Sequence, residues 1–146
     1  MSRENVEVVR RWLASTDQGP EAVQSAVTEF CDPDVDYYPI RKLFDEQPSH
    51  GSEELSQFLA RWLQAWSRLE MAVEELIDVG HDRVLACVRL RAEGRGSEVN
   101  LDGDLYQCVW LRHGRLFRVE DHLTLGGALH ALGLSGDTLE AAGLRD

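Results

Sequence analysis

The sequence has no long hydrophobic run: no stretch of its 146 residues approaches the roughly 20 consecutive apolar residues of a membrane-spanning helix. The first segment, MSRENVEVVRRW, also has no apolar core of the kind that marks a secretory signal. We therefore expect a cytoplasmic protein without a membrane partner.

Basic side chains are also scarce, since 15 Lys and Arg stand against 26 Asp and Glu and give a net charge of −11 at pH 7. A nucleic-acid-binding protein needs basic charge gathered on one face. The densest basic group, Arg89, Arg91 and Arg95, is short and has acidic residues nearby. We expect no nucleic-acid partner.

Motifs for cofactors are missing too: the chain has no GxGxxG, P-loop, HExxH or GxSxG sequence. Its three cysteines, Cys31, Cys87 and Cys108, lie far apart in apolar surroundings and show no metal-ligand spacing. We expect no metal and no nucleotide cofactor, and we interpret the cysteines as reduced, buried thiols.

The apolar content of 43% is ordinary for a globular protein, and the length predicts one domain, residues 1–146, with a polar tail at 135–146. Helical spacing of apolar residues predicts a first helix near residues 2–14 and a second that begins near Pro20. After a predicted loop at 40–51, Ser52 is placed to cap a long amphipathic helix whose apolar face extends to Trp66.

The hydrophobic period then changes to two and predicts strands at 71–79, 84–92, 99–111 and 116–125, joined by short turns. A further short strand is predicted at 35–39, and a short helix follows the last strand. Helices followed by strands indicate an α+β fold, with three N-terminal helices packed on a mostly antiparallel sheet.

Three polar residues, Arg89, Gln107 and Asp121, lie in line with apolar neighbours on the predicted strands. If these faces line one interior, the three side chains converge on an apolar space, which is typical of a small-molecule pocket. A carboxyl group there would have a raised pKa and act as a general acid or base. The alternative is a structural ion pair between Asp121 and Arg89.

Several aromatic residues are candidates for the wall of such a pocket, namely Trp12, Tyr38, Trp62 and Trp66. Trp62 and Trp66 are equally typical of an ordinary core, because they share one helical face. Tyr37 and Tyr38 are adjacent in a strand, so only one of them can face inward, and the pattern leaves open which one.

Five segments, ENVEVVRRWL, FCDPDVDYYP, LSQFLARWLQAW, VWLRHGRLFRVEDHL and ALHALGL, together resemble the SnoaL-like proteins. These belong to the superfamily of nuclear transport factor 2, ketosteroid isomerase, limonene-epoxide hydrolase and polyketide cyclases. The resemblance spans nearly the whole chain and implies a cone-shaped α+β barrel, in which a strongly bent sheet encloses a deep apolar cavity. It also implies a homodimer, for which the outward residues Tyr106, Cys108 and Trp110 would offer an apolar face.

Two of the chemistries in this superfamily are disfavoured by residues that differ. Trp12, Tyr38 and Gln107 stand where ketosteroid isomerase has a tyrosine, a basic aspartate before a proline and a protonated aspartic acid. In the epoxide hydrolases an Arg-x-Asp pair acts with a second aspartate, whereas the pair here reads Arg89-Leu90-Arg91. Neither the isomerase set nor the hydrolase set is complete.

The cyclases of this superfamily need one aspartate on the last strand, and Asp121 in VEDHLT matches that position. We therefore expect cofactor-free acid–base catalysis on a small oxygenated hydrophobic molecule, with Asp121 as acid and base and Arg89 orienting an oxyanion. Gln107 would donate a hydrogen bond to the substrate. The alternatives are a non-catalytic ligand-binding or dimerisation module of the same fold, and a structural protein whose interior is filled by its own aromatic residues.

Overall fold

The computed structural model describes residues 2–40, 47–96 and 98–134, so the predicted polar tail lies outside the described residues. The elements in these ranges follow one another as α1 (Ser2–Ala14), α2 (Pro20–Phe30), β1 (Cys31–Tyr38), β2 (Ser49–His50), α3 (Ser52–Gln64), β3 (Trp66–Asp78), β4 (Arg83–Gly94), β5 (Asn100–Arg112), β6 (Arg115–His122) and α4 (Leu125–Leu132). None of these helices is long and apolar enough to cross a bilayer.

The six strands form a single open sheet in the order β2-β1-β6-β5-β4-β3. Neighbouring strands are antiparallel except β1 and β6, which run parallel because the chain passes through β2, α3 and three further strands between them. This arrangement confirms the predicted α+β class and the mostly antiparallel sheet.

One face of the sheet, which we call the inner face, packs against helices α1, α2 and α3. Each helix turns an apolar stripe toward the sheet, as Val9, Val27 and Leu55 show, and all three side chains are at most 1% exposed. The inner-face residues of the sheet are equally buried, and they include Val84, Ala86, Val88, Val109, Leu116 and Val119. Burial of these stripes positions the helices over the centre of the sheet.

The opposite, outer face is covered in part by α4. Ala128, Leu129 and Leu132 of this helix form a second core cluster with Leu85 and Cys108 of the sheet. The cysteines are free and buried, as expected, and burial raises the pKa of the Cys108 thiol to about 12. The expectation that this apolar face requires a partner subunit is therefore weakened, since the chain's own helix lies on it. The homodimer stays a prediction.

Three local predictions around α3 are wrong. Ser52 is the first residue of the helix and not its cap; Gly51 takes the N-cap position with a φ of 89°, where glycine is favoured. Ser49 and His50, predicted as loop, form β2, and the His50 ring nitrogen Nδ1 lies 2.7 Å from Asp36 Oδ1 on β1. At the other end, the helix stops at Gln64, and Trp66 begins β3.

Thr124 caps α4, because its hydroxyl accepts a hydrogen bond of 3.0 Å from the backbone nitrogen of Gly127. We expect Thr124→Ala to lower the free energy of unfolding by about 1 kcal/mol, since an N–H group at the helix start loses its partner. Thr124→Ser keeps the hydroxyl and should retain most of the stability. Urea denaturation of the three proteins checks this, and equal losses for both variants would contradict the capping role.

Candidate active site

A narrow cavity lies between the inner face of the sheet and helices α1 and α3. It encloses about 620 Å³ of atom-free space when its open mouth is included. Most of its lining is apolar, and the lining residues are Trp12, Leu13, Ser15, Thr16, Val23, Tyr37, Pro39, Ile40, Phe58, Leu59, Trp62, Met71, Leu90, Leu105, Gln107 and Asp121. Within the described ranges, Asp121 is the only ionised side chain of this lining at neutral pH.

Three adjacent strands bring the polar residues of the cavity together. Gln107 on β5 lies directly opposite Asp121 on β6, so both side chains project from the same face of the sheet. On the other side of β6, Tyr37 of β1 pairs with Val119, two residues before Asp121. Asp121 is therefore flanked by one neighbour from each adjoining strand.

A directed chain of hydrogen bonds connects these residues. The indole Nε1 of Trp12 donates to Gln107 Oε1 over 3.0 Å, and Gln107 Nε2 donates to Asp121 Oδ1 over 2.9 Å. The Tyr37 hydroxyl donates to Asp121 Oδ2. Because an indole nitrogen can only donate, Trp12 fixes the amide of Gln107 with its oxygen toward α1 and its NH₂ group toward the carboxylate.

The environment of Asp121 raises its pKa from 3.8 to about 6. Burial is the main cause, because it disfavours the charged form, and the hydrogen bonds from Tyr37 and Gln107 and the charge of nearby His122 oppose it. Burial, together with the carboxylate beside it, holds the pKa of Tyr37 well above 10, so the tyrosine stays protonated and can donate at neutral pH.

The comparisons with known proteins identify the fold of this chain. A protein from Jannaschia sp. CCS1 described as a SnoaL-like polyketide cyclase superposes with a TM-score of 0.73 at 20% identity, over 92% of this chain and 94% of that one. The chain has the SnoaL-like fold. The sequence matches no family model, and no curated protein is significantly similar to it.

Two further solved structures share the SnoaL-like fold and contain small molecules. TerC, crystallised with polyporic acid, has a TM-score of 0.68 at 21% identity and covers 88% of this chain and 97% of its own. A protein from Catenulispora acidiphila with a ketosteroid isomerase-like fold, in complex with trimethylamine, has a TM-score of 0.67 at 17% identity and covers 90% and 95% of the two chains. At these identities the likeness establishes the fold and leaves the activity open.

Within the SnoaL-like fold, the predicted convergence of Asp121 and Gln107 is correct, whereas Arg89 lies elsewhere. Arg89 projects from the outer face, where its guanidinium nitrogens lie 2.7 Å from Asp102 and 3.5 Å from Asp104. Its side chain is 43% exposed. Arg89 does share a face with Leu85, but that face is the one covered by α4 and not the one that lines the cavity.

The aromatic wall differs from the prediction at two positions. Trp12 and Trp62 line the cavity, but Trp66 does not; it is buried at the start of β3, in edge contact with Trp62. The inward tyrosine is Tyr37, and Tyr38 lies on the outer face under the guanidinium of Arg118, 4.7 Å from the ring centre. The structure thus resolves the choice that the sequence left open.

A signal for Tyr37 was present in the sequence. Tyr37 alternates with apolar Val35, whereas Tyr38 alternates with Asp36, so the apolar face of β1 contains Tyr37. Phe58, which was not predicted as a site residue, also lines the cavity, with its ring centre 5.6 Å from that of Tyr37. For metals, the described residues contain no group of three His, Cys, Asp or Glu that could hold an ion.

We expect Tyr37→Phe to raise the pKa of Asp121 further, by about one pH unit, because a bond that favours the carboxylate is lost. Tyr38→Phe is the matched control: it removes the adjacent hydroxyl on the outer face and should leave the pKa unchanged. A carbon-13 NMR titration of the aspartate carboxyl groups measures both. Equal behaviour of the two variants would show that Tyr37 does not bond to Asp121 in solution.

The raised pKa of Asp121 also predicts how stability depends on pH. The folded state holds this proton more tightly than the unfolded chain, so the contribution is complete below pH 3.8 and is lost as pH rises to about 6. Asp121→Asn does not titrate, so the variant does not lose this stability as the pH rises. Its amide can keep the local hydrogen bonds, because the asparagine oxygen can accept from Gln107 while its NH₂ group donates to the Tyr37 oxygen.

From pH 4 to pH 7, the free energy of unfolding of Asp121→Asn should therefore rise relative to the native protein by about 2–3 kcal/mol. Urea denaturation at both pH values measures the change. A constant difference between the two proteins would contradict the raised pKa.

Proposed function

We propose that this protein catalyses cofactor-free proton transfer on a small, hydrophobic, oxygenated molecule, with Asp121 as both acid and base. The observation that supports this proposal is a carboxyl group with a pKa of about 6 in a largely apolar cavity. General acid–base catalysis is most effective when the pKa of the catalytic group lies near the working pH. An ordinary surface aspartate would be too weak a base.

In the proposed reaction, the ionised Asp121 removes a proton from a carbon next to a carbonyl group. The C–H bond breaks, an O–H bond forms on the carboxyl group, and the electron pair moves to the substrate oxygen as an enolate. Protonation of Asp121 removes the negative charge to which the Tyr37 hydroxyl donates. Tyr37 can then donate its hydrogen bond to the enolate oxygen of the substrate. Return of the proton to another carbon completes an isomerisation. For ring closure, the enolate carbon first forms a bond to a second carbonyl carbon of the substrate, whose C=O π electrons move to its oxygen, and the proton returns to the resulting alkoxide.

The structural neighbours favour an organic ligand of modest size. One neighbour is described as a SnoaL-like polyketide cyclase, and another was crystallised with polyporic acid. A cyclase-type reaction requires only one acid–base group when the substrate carbon is itself acidic. Asp121 is the single carboxyl group among the described cavity residues, which suits this type better than a mechanism with two carboxylates.

A non-catalytic ligand-binding module is the second candidate. It is favoured by the position of Arg89, which leaves the described lining of the cavity without a cation to stabilise an oxyanion. Neutral donors alone stabilise a developing charge less than a cation does. Binding of a hydrophobic molecule without proton transfer would support this candidate.

Deuterium exchange of 2-tetralone, an uncharged hydrophobic ketone with acidic C–H bonds, tests the catalytic proposal without knowledge of the natural substrate. We expect the native protein to accelerate the exchange, observed by proton NMR in D₂O. Asp121→Asn should reduce the acceleration by about a hundredfold or more. The exchange rate should rise with pH, with a midpoint of about 6, because the carboxylate is the active form of Asp121.

Arg89→Ala is the matched control, because it removes a charged side chain of β4 that lies outside the cavity. It should retain the exchange rate within about twofold, as expected of a surface substitution. An Asp121→Asn protein that is folded and still accelerates exchange would refute the assignment of the base.

A further inference from the structure

The polar end of the cavity contains more free hydrogen-bond acceptors than donors. The Trp12 N–H and the Tyr37 O–H are both directed to other protein atoms. The hydroxyl groups of Ser15 and Thr16, which also line the cavity, donate to the backbone oxygens of Trp12 and Leu13. These four lining side chains therefore turn their hydrogens away from the cavity space.

The acceptor capacity around Asp121 is only partly used. A carboxylate can accept about four hydrogen bonds, and Asp121 accepts one at each oxygen. The oxygen of Tyr37 also retains its lone pairs, since it acts as a donor toward Asp121. Gln107 is a donor group directly beside Asp121, and one of its two amide hydrogens is already directed to Asp121.

The charge of the site adds a second constraint on the ligand. Asp121 is the single ionised group among the described lining residues, and no Lys, Arg or His of the described ranges lines the cavity. A ligand with a negative charge would have to leave water for a space that already contains a carboxylate. The cavity would offer such a ligand neither a cation nor enough free hydrogen-bond donors to replace its hydration.

From these observations we propose that the cavity selects a hydrophobic ligand that presents an O–H or N–H donor to Asp121 and carries no negative charge. A hydroxyl group, such as a phenol or enol, and a protonated amine share this chemistry. The inference rests on the cavity being the functional site, as proposed above, but it concerns recognition and not turnover. The enol form of a substrate, and not its keto form, is then the species that the resting site binds best.

Four probes with the same 4-ethylphenyl group test the selection: 4-ethylphenol, 4-ethylbenzylamine, 4-ethylanisole and 4-ethylbenzoate. Binding is measured at pH 7.5 by proton–nitrogen NMR, with the indole N–H signal of Trp12 and the amide signals of Gln107 as reporters. We expect the phenol or the amine to bind about tenfold tighter than the anisole, in which a methyl group replaces the donor hydrogen of the phenol. The benzoate should bind more weakly than the anisole, because it brings a second negative charge.

Two variants locate the effect. Asp121→Asn should reduce the preference for phenol over anisole to about threefold or less, since the charged acceptor is lost. Asp104→Asn removes the same charge from the outer face and should leave the preference unchanged. A tighter phenol than amine would identify the neutral hydroxyl as the favoured donor, and the reverse would identify the cation.

The inference is overturned if the anisole binds as tightly as both donors, if the benzoate binds best, or if none of the four probes shifts the reporter signals. These outcomes differ from a failure of the proposed catalysis. Absence of deuterium exchange together with the predicted order of affinities would reject the enzyme and retain the donor-selective binding site.

Discussion

The hydrogen bonds that meet at Asp121 connect four parts of the chain that are distant in sequence. Trp12 of α1 donates to Gln107 of β5, and Gln107 and Tyr37 of β1 both donate to the carboxylate of Asp121 on β6. Each bond also has a defined direction, because the indole N–H that begins the chain can only donate. The placement of α1 over the sheet, the order of the strands and the ionisation of the carboxyl group therefore depend on one another.

The carboxyl group of Asp121 in the cavity makes the fold less stable than a completely packed apolar interior would be. Burying a carboxyl group in apolar surroundings disfavours its charged form, and an apolar residue would fill the space without this cost. The hydrogen bonds from Tyr37 and Gln107 offset part of the penalty, and with this partial compensation the pKa of Asp121 is about 6. A partly buried carboxyl group whose desolvation is only partly compensated is more typical of functional sites than of structural cores.

Much of the fold and part of this site could be predicted from the sequence, and the errors have physical causes. Gln107 and Asp121 were recognisable because each is a polar residue in line with inner-face apolar residues. Arg89 was misplaced because β4 is buried on both faces from Val84 to Val88, so that alternation does not distinguish inside from outside there. Trp66 was misplaced because a helical pattern cannot show that the chain has already turned into β3, where the ring is buried just as well.

The outward position of Arg89 changes the chemistry that the cavity can support. With this arginine paired to Asp102 and Asp104, the described lining of the cavity offers no cation that would attract an anionic substrate. In the proposed reaction, the same carboxylate serves both as the base and as the main recognition group, and the hydrogen bonds from Tyr37 and Gln107 help to set its pKa. Because Tyr37 can donate to the ionised carboxyl group and accept from the protonated one, it accommodates both states without rearrangement of the strands. In the proposed reaction, a single titrating group with an adaptable neighbour therefore carries the proton in both directions, and no second carboxylate of the described cavity lining takes part.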